Sequence, residues 1–418
     1  MTYSEKMLQA LHNEDLAEAQ LALAEALKKD DSAILAELGE ELFAIGFLEE
    51  AKTIFETLQT RQPNEEMYHL SLAEIAIENN QIEEAFEHLE SISADNENYP
   101  QALLITADLY QVLGIPEVSE AKLKEAAQLL PEESLIQFAL AELYFSTDKF
   151  AEAEQLYRLL FSGEEQSIAN ISIAERIGSA LSMQGKFEEA VVFLEEALEE
   201  EQTDDRLFQT AFVYLQLKEN EKAIFYLQQL RAMNPQYQAL YLYLAEALQE
   251  EELLEEAQEV IEEGIKENPF QVDLYHFASE NSYRLHDVKK AEEYLIKALE
   301  TGEKEDETLL TLSNLYLNES MFEEVIETIQ RMEETDNPYA LWNLAHAYNE
   351  LEEFDSAAKY YEEANATLHH EPEFMKEYGV FLREEGRLEE ATQLLQHYLS
   401  HEPGDMEVQS ILDDLLER

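Results

Sequence analysis

Histidine and carboxylate are the side chains of this sequence that stand close enough together to suggest chemistry. His369-His370-Glu371 is one run, and His397 and His401 form a pair four residues apart. Such a pair on one helix face offers two ligands to a divalent cation, whereas a closed metal site needs a third or fourth. Carboxylates are everywhere, 93 in 418 residues. Two of them can be paired for acid–base work at almost any point, so their spacing discriminates nothing. No phosphate-cradling glycine loop, nucleophile elbow or His-Glu-x-x-His pair is present. With no cysteine, disulfide and thiolate chemistry are excluded. The expectation is a protein without catalytic residues, metal or cofactor.

What those carboxylates do is better read from the whole chain. Lys and Arg number 27 against the 93 acids, a net charge of −66. Such a field repels nucleic acid and anionic membranes and attracts cationic partners, and no basic patch with interleaved aromatics opposes it. Hydrophobic residues make up 45% and recur at helical spacing, which excludes disorder. Gly 11 and Pro 9 leave few helix breakers, so an all-α chain is expected. No apolar run approaches the roughly 20 residues that span a bilayer. The start, Met1-Thr2-Tyr3-Ser4-Glu5-Lys6, lacks a basic segment followed by an apolar run. The expected compartment is the cytoplasm, with no membrane insertion.

The elements that position the acids follow from a repeated phrase: an aromatic or aliphatic residue, two mostly polar ones, then a small residue. Phe47 to Ala51, Ile82 to Ala85, Phe150 to Ala153, Phe187 to Ala190, Leu254 to Ala257, Phe354 to Ala357 and Leu388 to Ala391 carry it, with weaker copies between. Successive small residues are 32, 34, 34, 34, 37, 33, 34, 34, 34, 32 and 34 apart. With this residue numbered 20, position 8 is small in the eleven units from Gly39 onward (Gly39, Ala73, Gly178, Ser279, Gly379). Position 11 is mostly Tyr or aliphatic, position 24 is large, position 27 is often Ala, and position 32 is Pro in five units, Pro63, Pro131, Pro235, Pro269 and Pro403. Apolar residues at 4, 7, 8 and 11 make one helical stripe, and those at 20, 24 and 27 make another. Gly46, Asn80, Gly114, Gly185 and Gly386 mark the turn between the two helices, and proline stops the second helix.

This pattern of small-8, Tyr-11, Ala-20, Ala-27 and Pro-32 resembles the tetratricopeptide repeat, in about twelve copies over essentially the whole chain. The layout is similar to stand-alone repeat proteins of Gram-positive bacteria. The resemblance implies a right-handed superhelical solenoid of about twelve antiparallel helix-turn-helix units over residues 1–418. Residues 405–418 would form a capping helix, with Asp405 as its cap and Ile411, Leu412, Leu415 and Leu416 packed on the last hairpin. The 37-residue spacing places extra residues at 162–166. These fit a bend dividing 1–161 from 167–404, and equally a longer surface loop.

In this family, partner segments usually lie along the inner groove, contacted from positions such as 5, 9 and 12 of each first helix. The resemblance thus implies a groove formed by Leu70, Glu74, Leu104, Asp108, Phe138, Glu142, Phe145, Phe208, Leu242, Glu246, Glu280, Tyr283, Leu310 and Trp342. Apolar and acidic rows side by side would suit a basic or amphipathic segment of a partner protein. The family's carboxylate-gripping Lys and Asn at positions 5 and 9 are missing, since Lys376 is followed at position 9 by Val380. An interaction scaffold or adaptor is therefore expected. The alternatives are a peptide-responsive regulator and an assembly chaperone for a basic or membrane-protein subunit. The oligomeric state stays open.

Overall fold

The structure, a computed structural model, describes residues 1–163 and 166–417. Among them, twenty-five helices follow one another as twelve consecutive pairs and a last single helix. None of these helices is long and apolar enough to cross a membrane. Two compact units divide the chain, Met1–Val213 and Tyr214–Arg418, the boundary falling inside the helix Asp204–Gln216.

The first unit begins with Tyr3–His12, closed by a capping box in which Thr2 and Glu5 satisfy each other's backbone N–H groups. Five further antiparallel pairs follow, from Ser32–Ala44 with Leu48–Arg61 to Ile173–Met183 with Phe187–Glu200. Ala51, Ala85, Ala153 and Ala190, the small residues of the repeated phrase, are fully buried at the crossings. Position 8 is small for a more specific reason than backbone proximity: it receives the side chain at position 24. A methyl group on Gly39 would lie 2.8 Å from the Phe55 ring, and one on Gly178 would lie 2.6 Å from Leu194 Cγ and 3.2 Å from the Ala190 carbonyl oxygen. The helices Leu48–Arg61 and Pro116–Leu129 end two residues before Pro63 and Pro131, as the pattern requires.

Glu164 and Glu165, in the segment expected to bend or loop, lie outside the described residues. The residues after them form a short antiparallel hairpin, β1 (Ser167–Ile168) with β2 (Ile171–Ser172). Two strands are thus a departure from an otherwise helical expectation. Ala169 and Asn170 form the two-residue turn, both at positive φ (50° and 64°), which matches the twist of a tight hairpin. Ser172 then caps the helix Ile173–Met183 through Glu175 N.

The second unit holds Asn220–Met233, five antiparallel pairs from Leu240–Glu250 with Leu254–Glu267 to Pro372–Glu384 with Leu388–His401, and the last helix Met406–Leu416. That helix is capped by Asp405, which accepts from the backbone of Glu407 and Val408. Val408 and Leu412 are buried with Met375, Leu395 and Tyr398, and Ile411 and Leu415 pack beside them. Leu416, expected in that contact, is exposed, and Val408 takes the inward place one turn from Leu412.

Every one of the twelve pairs turns in the same way. The residue at the turn is left-handed: Glu14, Gly46, Asn80, Gly114, Asp148, Gly185, Lys218, Glu252, His286, Ser320, Glu352 and Gly386. The N–H of the next residue reaches back five places to the helix it leaves, as in Phe47 to Leu42 (2.8 Å), Lys149 to Tyr144 (2.9 Å) and Leu253 to Leu248 (2.9 Å). This is the Schellman closure. It fixes the length of the turn, and it forces φ > 0 on residues whose Cβ resists it at roughly 1–2 kcal/mol each.

Two stability measurements follow. Glu252→Gly is expected to raise the denaturant midpoint of the protein by the equivalent of about 1 kcal/mol, as the side-chain penalty disappears; an unchanged or lower midpoint contradicts the closure described. Gly178→Ala is expected to cost about 1–3 kcal/mol by overpacking. Combined with Leu194→Ala, its cost should fall well below the sum of the single changes, and strict additivity would show that the two positions do not meet.

Candidate functional site

Within each unit, first helices of neighbouring repeats meet through side chains in a recurring register, position 9 of one repeat against position 6 of the next. In the first unit, Gln209 Nε2 donates to Ser179 Oγ at 2.6 Å, and Arg176 Nε lies 2.9 Å from Glu142 Oε1 as an ion-pair contact. The Arg176 N–H does not point in line for a hydrogen bond. In the second unit, Asn343 Nδ2 donates to Asn314 Oδ1 at 2.6 Å, and His346 Nδ1 is 3.0 Å from Glu377 Oε1. That carboxylate raises the His346 pKa above the ordinary histidine value against the opposing effect of burial. Each contact is a rung between neighbouring repeats.

The expected groove residues divide against this ladder. Leu70 and Phe138 are 4% exposed and belong to the core, with the Phe138 ring 6.0 Å from that of Tyr157. Glu142 is taken up by the chain itself, accepting from the Tyr157 hydroxyl and paired with Arg176. Leu104, Phe145, Phe208, Leu310 and Trp342 are half-buried. Phe145 meets Phe150 edge-on at 5.4 Å, and Trp342 does the same with Phe374 at 5.6 Å. Asp108 is exposed. Glu74 is half-buried with an apolar residue, Ile105, at the facing position 6, and burial raises its carboxyl pKa.

Leu242, Glu246, Glu280 and Tyr283 come together in the second unit. They line an open depression of about 570 Å³ with Asp273, His276, Phe277, Thr311 and Asn314. A second depression of about 610 Å³ is lined by Leu215, Lys218, Tyr243 and Glu250, among others, and shares Glu246, Phe277 and Glu280 with the first. Most of these residues stand on the first helices Leu240–Glu250, Val272–Arg284 and Glu305–Asn318. Glu246 is an exposed residue whose carboxyl is partly withdrawn from water. Burial is the larger cause of its raised pKa, and the charges of Glu280 and Glu250 add to it. None of these three carboxylates is paired with a cation among the described residues. Burial conversely lowers the His276 pKa; its ring meets Thr308 Oγ1 at 2.8 Å.

Position 6 went unmarked in the sequence, although Phe277 at that position forms the shared wall and Arg176 and Glu377 complete rungs. A periodic count could have found it, since position 6 stands opposite position 9 at Gln209 with Ser179, Arg176 with Glu142, Asn343 with Asn314 and Glu377 with His346. The histidines do gather: ring centroids are 6.0 Å apart for His370 and His397 and 5.0 Å for His397 and His401. Among the described residues, no group of three or more His, Asp or Glu is placed to hold a metal ion. Lys376 is occupied, donating to Asp405 Oδ2 at 2.9 Å and Glu407 Oε2 at 3.4 Å.

Comparison with known proteins agrees with this architecture. Residues 338–405 match the model described as YpiA-like, C-terminal tetratricopeptide repeats, and residues 111–165 match YpiA-like, tetratricopeptide repeats. Residues 214–277 and 171–200 match general tetratricopeptide-repeat models. The TPR repeat-containing protein YpiA of Bacillus subtilis (strain 168) is 33% identical over 389 residues, covering 92% of this chain and 91% of that protein. The chain belongs to the YpiA-like tetratricopeptide-repeat family. Among solved structures, the C-terminal part of a TPR repeat-containing protein from Cytophaga hutchinsonii matches this YpiA-like chain at 16% identity and a TM-score of 0.50, covering 57% of this chain and 98% of that one. The Cut9-Hcn1 hetero-tetramer structure gives 14% identity and a TM-score of 0.41, with 98% and 95% covered.

The raised pKa of Glu74 has a definite consequence. A carboxyl whose folded pKa exceeds its unfolded value favours folding below the unfolded value, and that contribution is lost as pH rises through the folded one. Glu74→Gln is therefore expected to raise the thermal midpoint at pH 7 and to leave it nearly unchanged near pH 4. A lower midpoint at both pH values in circular-dichroism melts would show that the carboxylate is stabilising instead.

Proposed function

We propose that this YpiA-like protein holds a basic or amphipathic segment of a partner protein on the first-helix face of its repeats, as a cytoplasmic scaffold and not a catalyst. Tetratricopeptide-repeat proteins are in general protein-interaction scaffolds, and membership of the family supports that coarser role. The observation that carries the finer reading is the pair of depressions meeting at Glu246, Phe277 and Glu280. Apolar walls there stand beside carboxylates that have no cation paired with them among the described residues. An amphipathic helix with basic residues offers both complements at once, burying apolar side chains on Leu242 and Tyr283 while its charges approach the acids. The surplus of 93 acids over 27 bases extends the attraction beyond the contact surface.

Titration calorimetry with a synthetic lysine- and leucine-rich amphipathic helix tests this. Binding should weaken several-fold between low salt and about 0.5 M salt, as the Debye length contracts from roughly 8 Å at physiological strength toward roughly 3 Å at 1 M. It should weaken again in the Glu246→Gln/Glu280→Gln protein. Equal binding of an acidic helix of the same apolar content, or indifference to both salt and the double substitution, would reject the reading.

A further inference from the structure

The chain carries its own example of how a cation fills a rung. In the first unit, the Arg176 guanidinium sits between the Glu142 carboxylate, 2.9 Å away, and the Phe145 ring, whose centroid is 5.9 Å from it. Glu142 is position 9 and Phe145 position 12 of one repeat, and Arg176 is position 6 of the next. In the same register of the second unit stand Glu280, Tyr283 and Thr311. The carboxylate and the aromatic ring are kept, while the arginine is replaced by a side chain too short to reach between them. All three residues line the depression of about 570 Å³, together with Glu246 and Phe277. The place taken by a guanidinium in one unit is therefore open, acidic and aromatic-walled in the other.

We propose that this place receives an arginine side chain of the bound partner, seated between Glu280 and Tyr283 above Thr311. The inference rests on the reading of this face as a site for basic segments, and it names the residue that anchors them. Arginine suits the place better than lysine. Its planar guanidinium stacks on an aromatic face, presents a fork of donors to carboxylates and sheds water more readily than an ammonium. Glu246, on the neighbouring repeat, lies within the same depression and gives the fork a second carboxylate. The long stem would lie along Leu315 and Leu242, which also line it.

The test uses the full chain and three helical peptides of leucine, alanine and glutamine that differ at one central residue: arginine, lysine or citrulline. Titration calorimetry should rank arginine above lysine and lysine above citrulline, with about tenfold between the first and last, the worth of one charge-assisted contact. Thr311→Arg rebuilds the arrangement of Glu142, Phe145 and Arg176. It should reduce binding of the arginine peptide to the citrulline level, and Glu280→Gln should reduce the preference for arginine without any change of fold by circular dichroism. If the three peptides bind alike, the arginine anchor is wrong, and the wider reading of a basic-segment face survives only where the lysine- and leucine-rich helix still binds in a salt-sensitive way. If Thr311→Arg folds and leaves the arginine peptide unaffected, the place assigned is wrong. If none of the peptides binds even at low salt, while the lysine- and leucine-rich helix does, the single-anchor assignment fails alone; if that helix fails as well, the reading beneath it fails too.

Discussion

Each repeat depends on one close approach, the side chain at position 24 of the second helix entering the gap left at position 8 of the first. Phe55 over Gly39, Leu194 over Gly178 and Leu395 over Gly379 leave no room for even a methyl group. That contact sets the distance between the paired helices, and the fully buried Ala51, Ala190 and Ala391 at position 20 hold the same spacing from the other side. Dispersion and apolar burial reward such interdigitation only while the packing is dense. The position-27 contact works likewise between Gly264 and Tyr241, where an added Cβ would lie 2.6 Å from the tyrosine. Both contacts lie within one helix pair, so they fix the geometry of the hairpin that presents positions 6 and 9.

A chain with so many acids and few bases has to satisfy its carboxylates by other means. Tyrosine supplies many of the donors. The hydroxyl of Tyr294 donates to Glu262 at 2.7 Å, that of Tyr316 to Glu292 at 2.6 Å, that of Tyr361 to Glu377 at 2.6 Å and that of Tyr398 to Asp405 at 2.8 Å. A phenol is a neutral donor with an apolar body, so it fills the large positions of the repeat and still reaches a carboxylate at the edge. Burial followed by the neighbouring carboxylate raises the pKa of Tyr294 and Tyr316, which keeps the donor protonated. Glu262 and Asp405 also meet Lys290 and Lys376, whereas Glu292 and Glu377 have no lysine or arginine in ion-pair range among the described residues.

Much of this was legible in the residues. The small position 8, the small position 20 and the proline stops are steric requirements that leave few substitutes, so they persist in the sequence as a period. The turns were legible only where Gly or Asn occupied them. At Glu14, Asp148, Lys218, Glu252, His286, Ser320 and Glu352 the same left-handed closure occurs, imposed by the packed helices on either side and not by local preference. The two-residue strands at 167–172 are too short to leave a period in the sequence. In the groove, Leu70 and Phe138 read as surface positions by count, yet position 5 there points into the stack, where Phe138 meets Tyr157. Leu242, Glu246, Glu280 and Tyr283 stand together in one depression because their register is regular. Phe277 escaped because a ring at position 6 looks like any other core aromatic.

A ladder of repeated rungs also couples stability to binding. Where a rung closes on the chain's own groups, as at Ser179 with Gln209 or Asn314 with Asn343, the contact stabilises the stack and offers nothing to a partner. Around Phe277 the free protein instead holds Glu246, Glu250 and Glu280 close enough for Glu246 to feel the other two. A cation brought by a partner relieves that repulsion only in the folded stack, because the three carboxylates are adjacent only there. Any ligand selective for the folded state stabilises it by mass action. On the proposed reading, the mutual repulsion of these acids in the free protein is what gives a basic ligand its differential affinity, and a repeat array acquires a site by leaving one rung unfilled.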